Sequence, residues 1–205
     1  MKMVITIARE FGSGGRELGR RLADELGIAY YDKEIILEIE HKTPFSKEYI
    51  EEVTENRPIP LFPIHYGNSW APLADPHLEQ SIDVFAAQAD VIKDLANRSD
   101  CVIIGRCADY ILRDLKPLRI FVYADSKSKI ERCKTREKDG ESLSDKEIAK
   151  NIRSIDKKRK GYYEFYTGQS WGDKSNYDLI INTTGMDLKK LAKVLATFIK
   201  ERSEE

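Results

Sequence analysis

Four residues near the start of the chain, Gly12-Ser13-Gly14-Gly15, follow an apolar run and open a helical pattern. Glycines there permit tight turns and close backbone approach, and the N–H groups at a helix start attract anions. That is the chemistry of a phosphate-binding loop. The standard loop, GxxxxGK[ST], puts a lysine on the phosphates and a hydroxyl on magnesium. No lysine lies between Lys2 and Lys33, and Arg9 and Arg16 flank the glycines instead. A plain strand-to-helix turn is the simpler alternative. Farther along, Arg132 and Arg136 stand i,i+4 on one helical face, so both can reach one anion or form a solvated charged face. Arg159 continues the apolar stripe Ile148, Ile152, Ile155, where a guanidinium needs an anionic partner. Cys101, Cys107 and Cys133 form no CxxC pair and have no His at zinc-ligand spacing, so no structural metal is expected.

The elements that must position these residues alternate in type. Segment 3–8 reads as a buried parallel-type strand. Leu18, Leu22 and Leu26 mark a helix that Gly27 stops. A strand over 28–31 and a helix from Asp32, its candidate N-cap, follow. Segment 46–56 reads as a helix capped by Ser46. Segment 57–77 holds five of the seven prolines and one of the two tryptophans, which excludes a long helix or central strand. A helix is predicted over 78–97, with Gln88 on its apolar line as a core amide or a reader of a base edge. Strands are predicted over 101–105, 118–124 and 177–182. Charged helix 126–138, a helix behind the capping box Ser144–Glu147, and helix 187–202 complete the pattern. Alternating strands and helices predict a three-layer α/β fold with a parallel sheet and its ligand at the strands' carboxyl ends.

Composition narrows the function. The 205 residues suit one domain, 1–205. Lys and Arg number 34 against 35 Asp and Glu, so no basic excess points to nucleic acid. No apolar run approaches the ~20 residues of a membrane span, and the N-terminus lacks a signal-peptide pattern. The expected location is the cytoplasm, where three cysteines stay reduced. Cys101 and Cys107 read as small buried residues.

The segments VITIAREFGSGGRELGRRLA, YYDKEII, VIIGRCADYIL and YDLIINTTGMDLKKLAKVLATFI together resemble the cytidylate kinase-like proteins, relatives of bacterial cytidylate kinase among the P-loop nucleoside monophosphate kinases. The likeness runs over essentially the whole chain. It implies a P-loop kinase fold: a five-stranded parallel sheet, helices on both faces, an acceptor region near 41–97 and a small helical lid near 126–161. It also implies ATP and Mg2+ as cofactors. Against the loop GPSGxGK[GS]T, Gly12 and Gly14 match the later glycines, Gly15 stands in place of the lysine, and Glu17 stands in place of the threonine. Gly12, Ser13, Gly14, Gly15 and Arg16 would then hold the donor phosphates, with Arg16 as the cation. Glu17 could bind or water-bridge magnesium, or serve as a helix-dipole carboxylate. The resemblance places Asp32 in the acceptor pocket, with Lys33 where the family has Ser. It places Arg106 on the acceptor phosphate, within a changed Asp-Gly-Arg-Asp motif in which an acid returns only at Asp109. The lid arginines, Arg132 and Arg136 with Arg159, would close on the transferring group, and Thr183 lies where the donor adenine packs.

These readings converge on a kinase. It would move the ATP γ-phosphoryl to a small nucleotide or hydroxyl-bearing acceptor, CMP by default. The rival is a nucleotide-binding protein with little transfer that acts through ligand-gated association with a partner, for which segment 57–77 would be a surface.

Overall fold

The computed structural model describes residues 2–56, 76–135 and 143–204. Five strands form one sheet: β1 (Val4–Arg9), β2 (Ala29–Tyr31), β3 (Cys101–Ile104), β4 (Leu118–Tyr123) and β5 (Leu179–Asn182). Their order is β2-β3-β1-β4-β5 and every pairing is parallel. The β-branched run of β1 is buried from Val4 to Ala8, because both faces of a central parallel strand are covered. In the register, Ile7 of β1 faces Ile104 of β3. Arg9 and the Gly105-Arg106 turn therefore emerge side by side at the carboxyl edge.

Helices α1 (Gly15–Leu26) and α8 (Leu188–Glu204) cover one face. There Leu18, Leu22, Ala192 and Ile199 pack on Ile5, Ile7, Val102 and Ile120. The other face carries α2 (Glu34–Lys42), α3 (Lys47–Glu55), α4 (Pro76–Arg98), the short α5 (Ala108–Ile111) and the aromatic end of α7 (Asp145–Thr167). Phe85 of α4 stacks on Tyr166 of α7, ring centroids 4.1 Å apart. Helix α6 (Ser126–Lys134) packs beside α7. This is a three-layer α/β P-loop kinase fold.

Local chemistry sets several boundaries as the sequence implies. Ser46 accepts from the Tyr49 N–H at the start of α3, and Ser144 and Glu147 form a reciprocal capping box on α7. Pro76 takes the first turn of α4, where its missing N–H costs nothing. The capping role of Asp32 is corrected: Lys33 holds the N-cap position of α2, without a side-chain cap, because Asp32 turns to Arg16. The expected helix 126–138 is described as α6, and its remaining residues 136–138 lie outside the described residues, as does 57–75 of the proline-rich segment. Helix α5 and the single 3-10 turns over 113–115 and 174–176 have too few residues to leave a periodic signal. Among the described residues, no helix is long and apolar enough to cross a membrane.

Candidate functional site

The glycine loop bridges β1 and α1. Gly12 and Gly14 have φ of 75° and 82°, which non-glycine residues rarely adopt. Ser13 between them is fully buried. Its hydroxyl donates to the Glu10 carbonyl at 2.8 Å and accepts the Gly15 N–H at 3.3 Å. Its carbonyl accepts from Thr183 Oγ1 at 2.6 Å and from Arg132 Nη1 at 3.1 Å. Arg132 Nη2 also donates to the Thr183 carbonyl. Ser13, Arg132 and Thr183 thus form a brace behind the loop, joining it to α6 and to the turn after β5.

A second brace holds the loop's other flank. The Lys129 ammonium lies 2.6 Å from the Glu10 carboxylate and 3.4 Å from Asp156. Asp156 in turn accepts the Phe11 N–H at 2.6 Å. Burial pushes the Asp156 carboxyl above its usual range, against that bond and the nearby Lys129 charge. A loop tied at both ends keeps its shape before any ligand arrives, which lowers the entropy cost of binding.

In front of the loop lies a cavity of about 670 Å³, within the range of small-ligand sites. Gly12, Gly14, Gly15, Arg9, Arg16, Arg106 and Arg159 form its sheet side. Lys33, Ile36 and Glu51 form one flank, and Ile148, Asn151, Ser154 and Ile155 of α7 form the opposite one. The positive side is braced from within the protein. Arg159 Nη1 donates to the Arg9 carbonyl at 3.3 Å, and its guanidinium stands 5.5 Å over the Phe11 ring. Gly105, Arg106 and Cys107 are three successive left-handed residues, with φ of 66°, 57° and 53°. Such geometry in non-glycine residues costs about 1–3 kcal/mol each and persists only where the surroundings enforce it. Gln88 supplies part of that constraint, donating its amide N–H to the Arg106 carbonyl at 3.1 Å. Desolvation, and then the Arg159 charge, push the Arg9 guanidinium down to about 9.

The sequence-derived candidates therefore divide by place. Gly12, Gly14, Gly15, Arg16, Arg106 and Arg159 share one cavity, with Ser13, Thr183 and Arg132 behind it. Asp32 is buried and stands behind Arg16, 2.6 Å from its Nε. Asp109 lines a smaller adjoining cavity of about 60 Å³ and accepts the Tyr163 hydroxyl at 2.7 Å. Glu17 pairs with Arg21 at 2.9 Å along α1. Arg136 lies outside the described residues. Lys129 was not chosen from the sequence, and Arg9 was noted there only as flanking the glycines, second to Arg16. A cation at the carboxyl end of a central parallel strand, where such folds bind ligands, was the available signal for Arg9.

A model of the cytidylate kinase-like family matches residues 4–185. The chain belongs to that family. This cytidylate kinase-like protein has no significant match among curated proteins. An uncharacterized protein from Eubacterium ventriosum shares 27% identity, over 97% of this chain and 99% of that one, with a TM-score of 0.67. Shikimate kinase from Acinetobacter baumannii, solved with shikimate, shares 17% identity over 100% and 97% of the two chains, with a TM-score of 0.55. Shikimate kinase from Bacteroides thetaiotaomicron shares 14% over 99% of each, with a TM-score of 0.56. The two shikimate kinases share the fold of the cytidylate kinase-like protein.

Proposed function

We propose that the protein transfers the γ-phosphoryl group of ATP to a small acceptor, by default a nucleoside monophosphate such as CMP. The observation that carries this is the cavity itself. A braced glycine loop and four arginines face an acceptor-sized space at the carboxyl edge of a kinase-fold sheet. An acceptor oxygen bonds to Pγ while the bond from Pγ to the β-bridging oxygen breaks, and ADP departs with that electron pair. Positioning and charge neutralisation supply the catalysis.

The glycine loop and Arg16 would cradle the donor phosphates, with Thr183 near the adenine. Arg106, Asp32 and Asp109 would hold the acceptor, flanked by Lys33, Ile36 and Glu51. Arg159, with Arg136, would form the closing side, so that 126–161 acts as a lid and 41–97 as the acceptor region; Arg132, expected there from the sequence, instead braces the glycine loop from behind. A nucleotide phosphate is already anionic and needs no base. A hydroxyl acceptor gives its proton to a carboxylate, and Asp32 is the nearest candidate to the cations.

Magnesium fits the reading only as the nucleotide's companion. Among the described residues, no three His, Cys, Asp or Glu gather as a ligand set, and Glu17 is turned to Arg21. Magnesium binds few protein carboxylates and keeps waters and substrate phosphates. Among the described residues Cys101, Cys107 and Cys133 form no disulfide, which is compatible with the cytoplasm as the working compartment.

Steady-state ADP release across the four common nucleoside monophosphates, shikimate and simple sugars tests the reading. Acceptor-dependent release with one of them supports it. Nucleotide binding without acceptor-dependent release favours the ligand-gated binding protein.

A further inference from the structure

Arg9 is the last residue of β1, and its side chain runs through two places where no other side chain exists. The first is Gly15, at the opening of α1, where the standard phosphate loop carries its lysine. A Cβ built on Gly15 would lie 2.6 Å from the Arg9 Cβ and 3.2 Å from its Cγ. The arginine stem therefore occupies the space through which a lysine at 15 would leave the helix. Gly15 has an ordinary helical backbone, so packing against Arg9, not conformation, is what keeps this position bare. The second place is Gly105, after β3. A Cβ there would collide with the Arg9 Nη1, so the guanidinium lies over Gly105, between the glycine loop and Arg106.

We propose that Arg9 is the fixed cation of the phosphate site, delivered from the strand in place of the helix-borne lysine, and that its ligand is a di- or triphosphate. This deepens the kinase reading and rests on it for the identity of the donor.

The charge inventory supports the assignment. Asp32 is engaged by Arg16, Glu10 by Lys129, Asp156 by Lys129 and Arg159, and Asp109 by Tyr163. Among the described residues Arg9 forms no ion pair; Arg159, Arg16 and Arg106 repel its charge, and the attraction of Asp32, already held by Arg16, offsets them only in part. A partly buried cation that faces three cations and one carboxylate already engaged by Arg16 is costly without a further anion. A polyanion that enters the cavity removes that cost. A guanidinium suits the task because it keeps its proton when desolvated and can bind two phosphate oxygens through its fork. Arg16 is shared with Asp32 and half exposed, and so contributes less.

The test is calorimetry on the full chain with pyrophosphate and with ATP, beside the ligand-free melting temperature and the transfer assay. Arg9→Met should weaken pyrophosphate binding about a hundredfold, the loss of two charge-assisted hydrogen bonds, while Arg16→Met loses less than about tenfold. The ligand-free melting temperature of Arg9→Met should equal or exceed that of the parent, because an unpaired charge has gone. Moving the cation in Arg9→Gly/Gly15→Lys, which also removes the Arg9 Cβ that a side chain at 15 would meet, should restore at least about tenfold of the lost affinity. Pyrophosphate affinity within about threefold of the parent in folded Arg9→Met overturns the assignment. So does a lowered melting temperature in Arg9→Met together with no recovery in the relocated-lysine variant. Undiminished transfer by Arg9→Met rejects Arg9 alone and leaves the kinase standing. Arg9-dependent pyrophosphate binding with no transfer to any acceptor rejects the kinase and leaves Arg9. No binding of either ligand by the parent overturns both.

Discussion

Arg16 Nε lies 2.6 Å from the Asp32 carboxylate, tying the first turn of α1 to the end of β2 across one flank of the cavity. The pair divides labour between donor and acceptor. Asp32→Asn should lower kcat/KM for the acceptor by about tenfold, the value of one charge-assisted hydrogen bond, while the ATP dissociation constant stays within about threefold. Arg16→Ala should raise the ATP dissociation constant by several-fold and change acceptor KM less. Initial-rate kinetics with both substrates varied separate the two. Equal effects of both variants on both substrates would remove this division.

Lys129 carries the loop's second brace. Its side chain is only 10% exposed and faces two carboxylates. Lys129→Met leaves Glu10 without its cation and Asp156 with only Arg159, 3.9 Å away, at a cost of about 3 kcal/mol. Urea unfolding of the ligand-free protein reads that loss. Adding Glu10→Gln to Lys129→Met should recover part of it.

Arg132 predicts a different signature from a group that only touches the reacting phosphate. Its guanidinium holds Ser13 and Thr183 in the ligand-free protein. Arg132→Ala should lower the melting temperature by roughly 4 °C or more and speed amide exchange over residues 12–16. Nucleotide affinity should fall with it. Arg136→Ala, if Arg136 serves the lid as proposed, lowers kcat at unchanged melting temperature.

Asp109 sets a pH dependence. Burial raises its carboxyl above the usual 3.8, while the Tyr163 hydroxyl and the Arg119 charge pull the other way. A raised acid in the folded state means that folding binds protons. The stabilisation is therefore complete below about 3.8 and is lost as pH rises through the folded value. Asp109→Asn, which keeps an acceptor for Tyr163 and cannot ionise, should melt above the parent at pH 8. The difference should shrink toward pH 4. Melting curves from pH 4 to 8 check both the sign and the window.

The sheet and its loop were legible because their signals are local. The β-branched run of Val4–Ala8, the glycines before Leu18 and the capping box at Ser144 each act within a few residues. Tertiary pairing was not legible in that way. Asp32 reads as a cap from its neighbours, yet Arg16, sixteen residues away, takes it. Arg132 reads with Arg136 as an anion-binding pair or a solvated face, yet its acceptors are the protein's own, 119 and 51 residues away. Gln88 left two readings open until Arg106 supplied a carbonyl. Arg9 is visible beside the glycines, but its weight over Arg16 is not, because it depends on bare positions at Gly15 and Gly105, which meet it only in the folded chain.

The most direct measurement follows the phosphoryl group itself. The protein is incubated with ATP labelled at the γ-phosphate and a panel of acceptors led by CMP, and the products are resolved by mass. The kinase account predicts label on one acceptor, formed in step with ADP and dependent on Arg106. Label appearing only as inorganic phosphate, or remaining in bound ATP while every acceptor stays unlabelled, would contradict it.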